Sequence, residues 1–380
     1  MTPPLSADQQ HARRQILDAL SGGQTVSVLV GPAGSGKTTL MRSLLADIGH
    51  RRPVVLLCPT GKAAARLAAV TGQRASTIHR ALYGRVESDG AMLRFGDKRA
   101  PCPPGGLVIC DEASMVDQRL HDDLLAHLPD GAQLLYVGDR EQLPPIRGDW
   151  GPDFSAPTAA LEAIHRQAAG SPIIQLAHAI RHGTSFTGWQ DGVCQRLRGD
   201  AVEWMLDAIR AEQDATLITL TNQRRRALND AIRAQLALDG QPISPGDRLV
   251  NLINHDSLHL MNGDVRIVQA ARRAAGPSWI HRAELWEVTF TDEQTVLVNV
   301  DLIGAEIGAF KAWRGRKKHL DRVIHVDHGF CLTVHKAQGS QWDAVGFVSC
   351  LAFRRMRDRR RLAYTAVTRA ADQLTIFLDG

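Results

Sequence analysis

The sequence predicts an α/β fold with two parallel-sheet units, a small β-ribbon inserted in the first unit and an all-β segment inserted in the second. Three observations predict it. Short apolar runs at 26–30, 54–58, 107–110 and 134–137 alternate with helical patterns through the first 150 residues. A second strand–helix rhythm spans 161–182, 215–220 and 224–238, and resumes at 330–334, 345–350 and 374–378. Between these stretches, residues 246–320 carry four β-like runs, at 248–253, 265–270, 285–290 and 296–300.

Each element follows from its residues. Continuous apolar strands alternating with helices belong to sheets covered on both faces, which are parallel. The first four strands run into Gly31-Pro32-Ala33-Gly34, Pro59-Thr60-Gly61, Asp111-Glu112 and Gly138-Asp139. Polar residues there sit at the carboxyl ends of strands, where such sheets bind ligands. Asp89-Gly90 divides 84–106 into two short alternating runs, a β-ribbon, and Asn262-Gly263 marks a tight hairpin turn in the all-β segment. The boundaries that follow are 1–83 with 107–153 for the first unit and 84–106 for the ribbon. The second unit takes 154–245 with 321–380, and the all-β segment takes 246–320.

Composition narrows the function classes. Of 380 residues, 44% are hydrophobic and 22% charged, which excludes a disordered or collagenous chain. No apolar run approaches the roughly 18 residues of a membrane span. Met1-Thr2-Pro3-Pro4-Leu5 lacks a secretory pattern, so the expected location is cytoplasmic. The six cysteines include no CxxC pair, which argues against a zinc or disulfide framework. Net charge is +5, and only seven of the 45 basic residues are lysine. Arginine suits phosphate contact, although a GC-rich genome yields the same bias.

The chemistry begins at Gly31-Pro32-Ala33-Gly34-Ser35-Gly36-Lys37-Thr38, which fits G-x-x-x-x-G-K-[ST] between a strand and a helix. Small residues let backbone N–H groups wrap phosphates at a helix N-terminus. Lys37 adds a mobile charge, and the Thr38 hydroxyl suits Mg²⁺. Asp111-Glu112 closes another strand, giving Asp111 to the metal and Glu112 to the role of general base. Together these predict a nucleoside-triphosphatase that uses Mg²⁺; ATP as its nucleotide is what the resemblance described below implies. They exclude a Rossmann oxidoreductase, whose GxGxxG is absent.

Further segments extend the pattern in order along nearly the whole chain. They are Leu5-Ser6-Ala7-Asp8-Gln9, the P-loop with Thr39, Cys58-Pro59-Thr60-Gly61-Lys62-Ala63-Ala64, Ser76-Thr77-Ile78-His79-Arg80 and Asp111-Glu112-Ala113-Ser114-Met115-Val116-Asp117. Then come Gly138-Asp139-Arg140-Glu141-Gln142-Leu143-Pro144-Pro145, Ile164-His165-Arg166-Gln167, Leu332-Thr333-Val334-His335-Lys336-Ala337-Gln338-Gly339-Ser340 and Tyr364-Thr365-Ala366-Val367-Thr368-Arg369-Ala370. This ordered set resembles the motifs of the superfamily 1B helicases, the branch that includes RecD and Dda, with the P-loop as motif I, 58–64 as motif Ia, 111–117 as motif II, 138–145 as motif III, 164–167 as motif IV, 332–340 as motif V and 364–370 as motif VI.

The resemblance implies two RecA-like domains, the ribbon as a strand-separating pin and the all-β insert as an SH3-like domain. It implies that Gln9 reads adenine, that Gly34, Ser35, Gly36, Lys37, Thr38, Thr39 and Gly339 hold the nucleotide, and that Gln142 senses the γ-phosphate. Arg166 and Arg369 become arginine fingers. Thr60, Lys62, Thr77, His79, Pro144, Thr333, His335 and Lys336 become contacts to DNA. Phe95 is either a wedge or a residue packing the ribbon on its own domain.

The expected activity is an ATP-dependent DNA helicase moving 5′ to 3′ on single strands and unwinding forked or tailed duplexes. A single-strand translocase that displaces proteins, and a non-motor ATP-binding partner subunit, are the alternatives. The expected state is a monomer that acts off the membrane in replication, repair or recombination, with a single-strand binding protein among its possible partners.

Overall fold

The computed structural model describes residues 4–83, 99–145, 148–163, 170–197, 199–255, 258–274, 283–314, 322–349 and 358–378. Residues 84–98 of the expected pin, with Phe95, and Arg166 lie outside the described residues.

The first unit contains α1 (Ala7–Ser21), β1 (Val26–Val30), α2 (Lys37–Ile48), β2 (Val54–Cys58), α3 (Gly61–Thr71), β3 (Ala75–Thr77) and α4 (Ile78–Tyr83). It continues with β4 (Leu107–Cys110), α5 (Gln118–Ala126), β5 (Gln133–Gly138) and β6 (Ala159–Ala160). The strands form one parallel sheet in the order β3-β2-β4-β5-β1-β6. Their continuous apolar character has a simple cause. Leu29, Leu56, Ile109, Leu135 and Val137 point to one face with Ile16, Leu40 and Leu67 of α1, α2 and α3. Val28, Val30, Leu57, Val108 and Tyr136 point to the other, with Leu82, Leu120 and Leu124 of α4 and α5. Neither face meets water. Each such side chain contributes about 1.5–3 kcal/mol on burial.

The expected boundary at 153 falls inside this unit. β6 pairs with β1, and Phe154, Ala159 and Leu161 are buried against the first sheet. A two-residue strand carries no periodicity to read.

The second parallel sheet, ordered β15-β8-β16-β17-β7, uses β7 (Cys194–Leu197), β8 (Ala215–Thr219), β15 (Cys331–Thr333), β16 (Trp342–Ser349) and β17 (Ala370–Leu378). Helices α6 (Pro172–His182), α7 (Ala201–Arg210) and α8 (Asn222–Gln235) precede the all-β segment. That segment is a six-stranded, mainly antiparallel sheet of β9 (Arg248–Asn251), β10 (Val265–Arg273), β11 (Leu285–Phe290), β12 (Thr295–Asn299), β13 (Val323–Ile324) and β14 (Val326–His328). It therefore runs to His328 rather than 320, because the two short strands β13 and β14 pair with β12 and β9. It includes α9 (Ile307–Arg314), and beyond it α10 (Val334–Ala337) and α11 (Arg359–Val367) complete the second unit.

Asn262-Gly263 does not make a two-residue hairpin. β9 and β10 are joined by residues 252–264, and the turn from Met261 to Asp264 closes that loop, with Gly263 at φ +91°. The loop lays Met261 where a side chain on Gly61 would lie, 2.5 Å from an ideal Cβ.

A buried ion pair joins α8 to the base of the all-β sheet. Arg233 Nε donates to Asp247 Oδ1 at 2.8 Å and Nη2 donates to the Leu238 and Gln241 carbonyls. Asp247 is fully buried. Asp247→Ala leaves a buried cation without its counter-charge and should cost about 3–5 kcal/mol, read as a shift in the denaturant midpoint. All five described cysteines are free and buried. No helix among the described residues is long and apolar enough to cross a membrane.

Candidate nucleotide cleft and strand-end platform

The P-loop is shaped by its glycines. Gly34 and Gly36 both sit at φ +78°, and a Cβ on Gly31 would lie 2.5 Å from Ser35 Oγ. The loop turns directly into α2, whose first residues are Lys37, Thr38 and Thr39, so free helical N–H groups point into the cradle. Lys37 Nζ folds back to donate to the Gly31 and Pro32 carbonyls, at 2.7 and 2.9 Å. Gln9 is buried beside the loop, but its amide is engaged within the protein. Oε1 accepts from Ser6 N–H at 2.9 Å in a capping box, and Nε2 donates to the Gly36 carbonyl at 3.2 Å.

Asp111 and Glu112 extend from β4. Burial first, and the adjacent Glu112 charge second, push the Asp111 carboxyl up to about 6, against the opposing pull of Lys37 and Arg66. A buried carboxylate disfavoured in its charged form is stabilised by a cation. The donor set of one carboxylate and the Thr38 hydroxyl fits Mg²⁺, which takes one or two protein oxygens and completes its shell with phosphate and water. Glu112 occupies the left-handed region at φ +52°, and its N–H donates to Asp111 Oδ1 at 2.9 Å. A non-glycine residue held there stores strain, a common mark of functional sites.

The opposite wall comes from motifs V and VI. Tyr364 on α11 accepts a hydrogen bond from Ala33 N–H at 2.7 Å and donates to Asp139 Oδ2. Thr365 Oγ1 accepts from Leu143 N–H at 3.1 Å, and Gln338 Nε2 donates to the Leu143 carbonyl at 3.4 Å. Pro144 follows, half-buried. Gln142, between these anchors, is 5% exposed, and its Oε1 has no partner among the described residues. Arg369 is buried, donating to the Thr365 and Ser340 carbonyls at 3.1 and 3.2 Å. Burial lowers its proton affinity, offset chiefly by the charge of Glu112, in whose field it lies. Gly339 sits at φ +74° with Thr60 and Ala63 as its first-unit neighbours, Thr60 Oγ1 lying 2.8 Å from an ideal Cβ.

The expected DNA contacts fall on matching strand ends. In the first unit Cys58 pairs with Thr77, and in the second Thr219 pairs with Thr333. Thr60 lies two residues beyond Cys58, as Thr221 lies two beyond Thr219. All four threonines accept from the N–H three residues on, those of Ala63, Arg80, Arg224 and Lys336. A capping hydroxyl still has its own proton to donate.

Sequence reading missed Thr221. The signal was the repeat of Thr77-Ile78-His79-Arg80 as Thr333-Val334-His335-Lys336, which makes β15 the counterpart of β3 and so β8 the counterpart of β2. Both histidines are exposed at the surface, and desolvation by the residues around them lowers their proton affinity. Both lysines are engaged. Lys62 lies over the Trp342 ring, 5.4 Å from its centroid, and Lys336 Nζ is 3.5 Å from Asp327, itself paired with buried Arg225.

Residues 4–191 match a family model described as an AAA domain, and residues 328–377 match one described as a UvrD-like helicase C-terminal domain. The chain is 34% identical to the ATP-dependent RecD2 DNA helicase of Deinococcus radiodurans over 94% of its own length and 47% of that protein's. It thus spans about half the length of that relative. It is 23% identical to the ATP-dependent DNA helicase dda of Enterobacteria phage T4, over 96% of this chain and 97% of that one. In fold it is similar to the Pif1 helicase from Bacteroides in complex with ADP-AlF3 and ssDNA. The TM-score is 0.58 at 18% identity, over all of this chain and 93% of the other.

Proposed function

The chain belongs to the RecD- and Dda-like branch of the superfamily 1B helicases, and from that premise we propose that it is an ATP-driven motor that moves 5′ to 3′ along single-stranded DNA and unwinds forked or tailed duplexes. The observation that carries the reading is that α11 of the second unit reaches both the P-loop and the motif III turn of the first. A nucleotide in this cleft is gripped from both sides, so its hydrolysis alters how the two units meet.

When ATP binds, Lys37 exchanges the Gly31 and Pro32 carbonyls for phosphate oxygens. Thr38 and Asp111 would hold Mg²⁺, which would supply charge neutralisation on the phosphates. Glu112 accepts a proton from the attacking water, with the open Gln142 Oε1 orienting it. Arg369 stabilises charge on the transferring phosphoryl group, joined by Arg166 of motif IV. The strand lies across the four capping threonines and the two histidines. Short hydroxyl donors favour contacts that form and break at each step, and lysines already paired to Trp342 and Asp327 do not pin the phosphates.

The test is DNA-stimulated ATPase measured beside unwinding of forks carrying only a 5′ or only a 3′ tail. Unwinding of the 5′-tailed fork alone is expected. ATPase on single strands without unwinding would instead identify a translocase, and ATP binding without DNA-stimulated hydrolysis a non-motor subunit.

A further inference from the structure

We propose that Tyr364 is a positioning residue for ATP hydrolysis, through which the second unit sets the turn that carries Gln142. The inference deepens the ATPase reading and rests on it.

The geometry is a short relay. The turn from Asp139 to Leu143 is held at both ends by consecutive residues of one helix: Tyr364 receives Asp139 Oδ2 as acceptor, and Thr365 Oγ1 takes the Leu143 N–H. The other carboxylate oxygen of Asp139 accepts from Glu141 N–H at 3.0 Å, and the Asp139 carbonyl accepts from Gln142 N–H at 3.1 Å. Asp139 therefore folds the turn with its own two hydrogen bonds while its remaining oxygen is fixed by the tyrosine. Both side chains are buried, at 2% exposure each. The same hydroxyl accepts from Ala33 N–H, so one oxygen atom ties motif VI to motifs I and III across 331 and 225 residues of chain.

Charge fits this arrangement. Burial raises the Asp139 carboxyl, and the Lys37 charge and the Tyr364 hydroxyl both pull it back toward the ionised acceptor state. If the second unit moves away, the hydroxyl leaves with it. Asp139 then loses its buried partner, and Gln142 is no longer aimed. Tyr364 touches the Ala33 N–H rather than Lys37 or Thr38, so it bears on turnover more than on nucleotide affinity.

The experiment compares Tyr364→Phe, Asp139→Asn and the double variant for kcat, KM for ATP and melting temperature, with single-stranded DNA present. Tyr364→Phe keeps the ring and should lower kcat roughly tenfold or more, the loss expected for one hydrogen bond to a charged group, with KM changing less than about threefold. In the double variant kcat should fall no further than in the worse single variant, as for residues acting in series. Wild-type kcat in Tyr364→Phe, a change confined to KM, or losses that multiply in the double variant would each overturn the proposal. So would a lowered melting temperature with kcat intact. A wild-type chain without DNA-stimulated hydrolysis would refute the ATPase reading itself, whereas a silent Tyr364→Phe in an active chain refutes only this inference.

Discussion

Arg369→Ala is expected to bind ATP with an affinity within a few-fold of wild type and to hydrolyse it about 10³–10⁵ times more slowly, the range attributed to an arginine finger. The guanidinium comes from the second unit, lies in the field of Glu112 and is oriented by two main-chain carbonyls, those of Thr365 and Ser340. In the proposed role it would stabilise the charge that builds on the transferring phosphoryl group. Fluorescent-nucleotide titration beside single-turnover hydrolysis separates the two quantities. Alanine also strips two buried carbonyls of their donor, so Arg369→Lys is the companion variant. It keeps a positive charge but cannot span both carbonyls, and should recover stability more than rate. Near-normal turnover in the alanine variant would refute the role.

Glu112→Gln should reduce kcat about 10²–10⁴-fold, the usual contribution of a positioned general base, while leaving nucleotide binding intact. Glutamine preserves the size and the left-handed backbone position. Because the Glu112 charge is the second cause that raises Asp111, its removal should also let Asp111 ionise at lower pH. Metal-dependent ATP binding should then persist to lower pH in the variant than in the wild type, as a titration of bound nucleotide against pH would read. Unchanged turnover would move the base elsewhere.

Much of this site was legible in the linear chain because its chemistry is local. The P-loop, Asp111-Glu112 and the threonine caps each need only a strand end, a turn and the start of a helix, all of which lie within about ten consecutive residues. Roles that depend on another segment were less legible. Gln9 carries the residue type expected of a base reader, yet the capping box and the Gly36 carbonyl occupy its amide. Lys336 reads as a free cation in sequence, and Asp327 holds it. Gly339, assigned to the nucleotide by resemblance, has Thr60 of the strand-end platform as its neighbour.

The sequence by itself determined the central strands of the two parallel sheets, since strands buried on both faces are apolar almost throughout, and it determined the phosphate cradle, since only small residues let the backbone close on an anion. Tertiary structure alone decided which segments meet. It added β3 and β6 to the first sheet, β7 to the second and β13 and β14 to the β-segment, and it set Tyr364 between Ala33 and Asp139. Hydrophobic periodicity records that a residue is buried but not against what. A hydrogen bond spanning more than 200 residues depends on the relative orientation of whole sheets, which no local pattern carries.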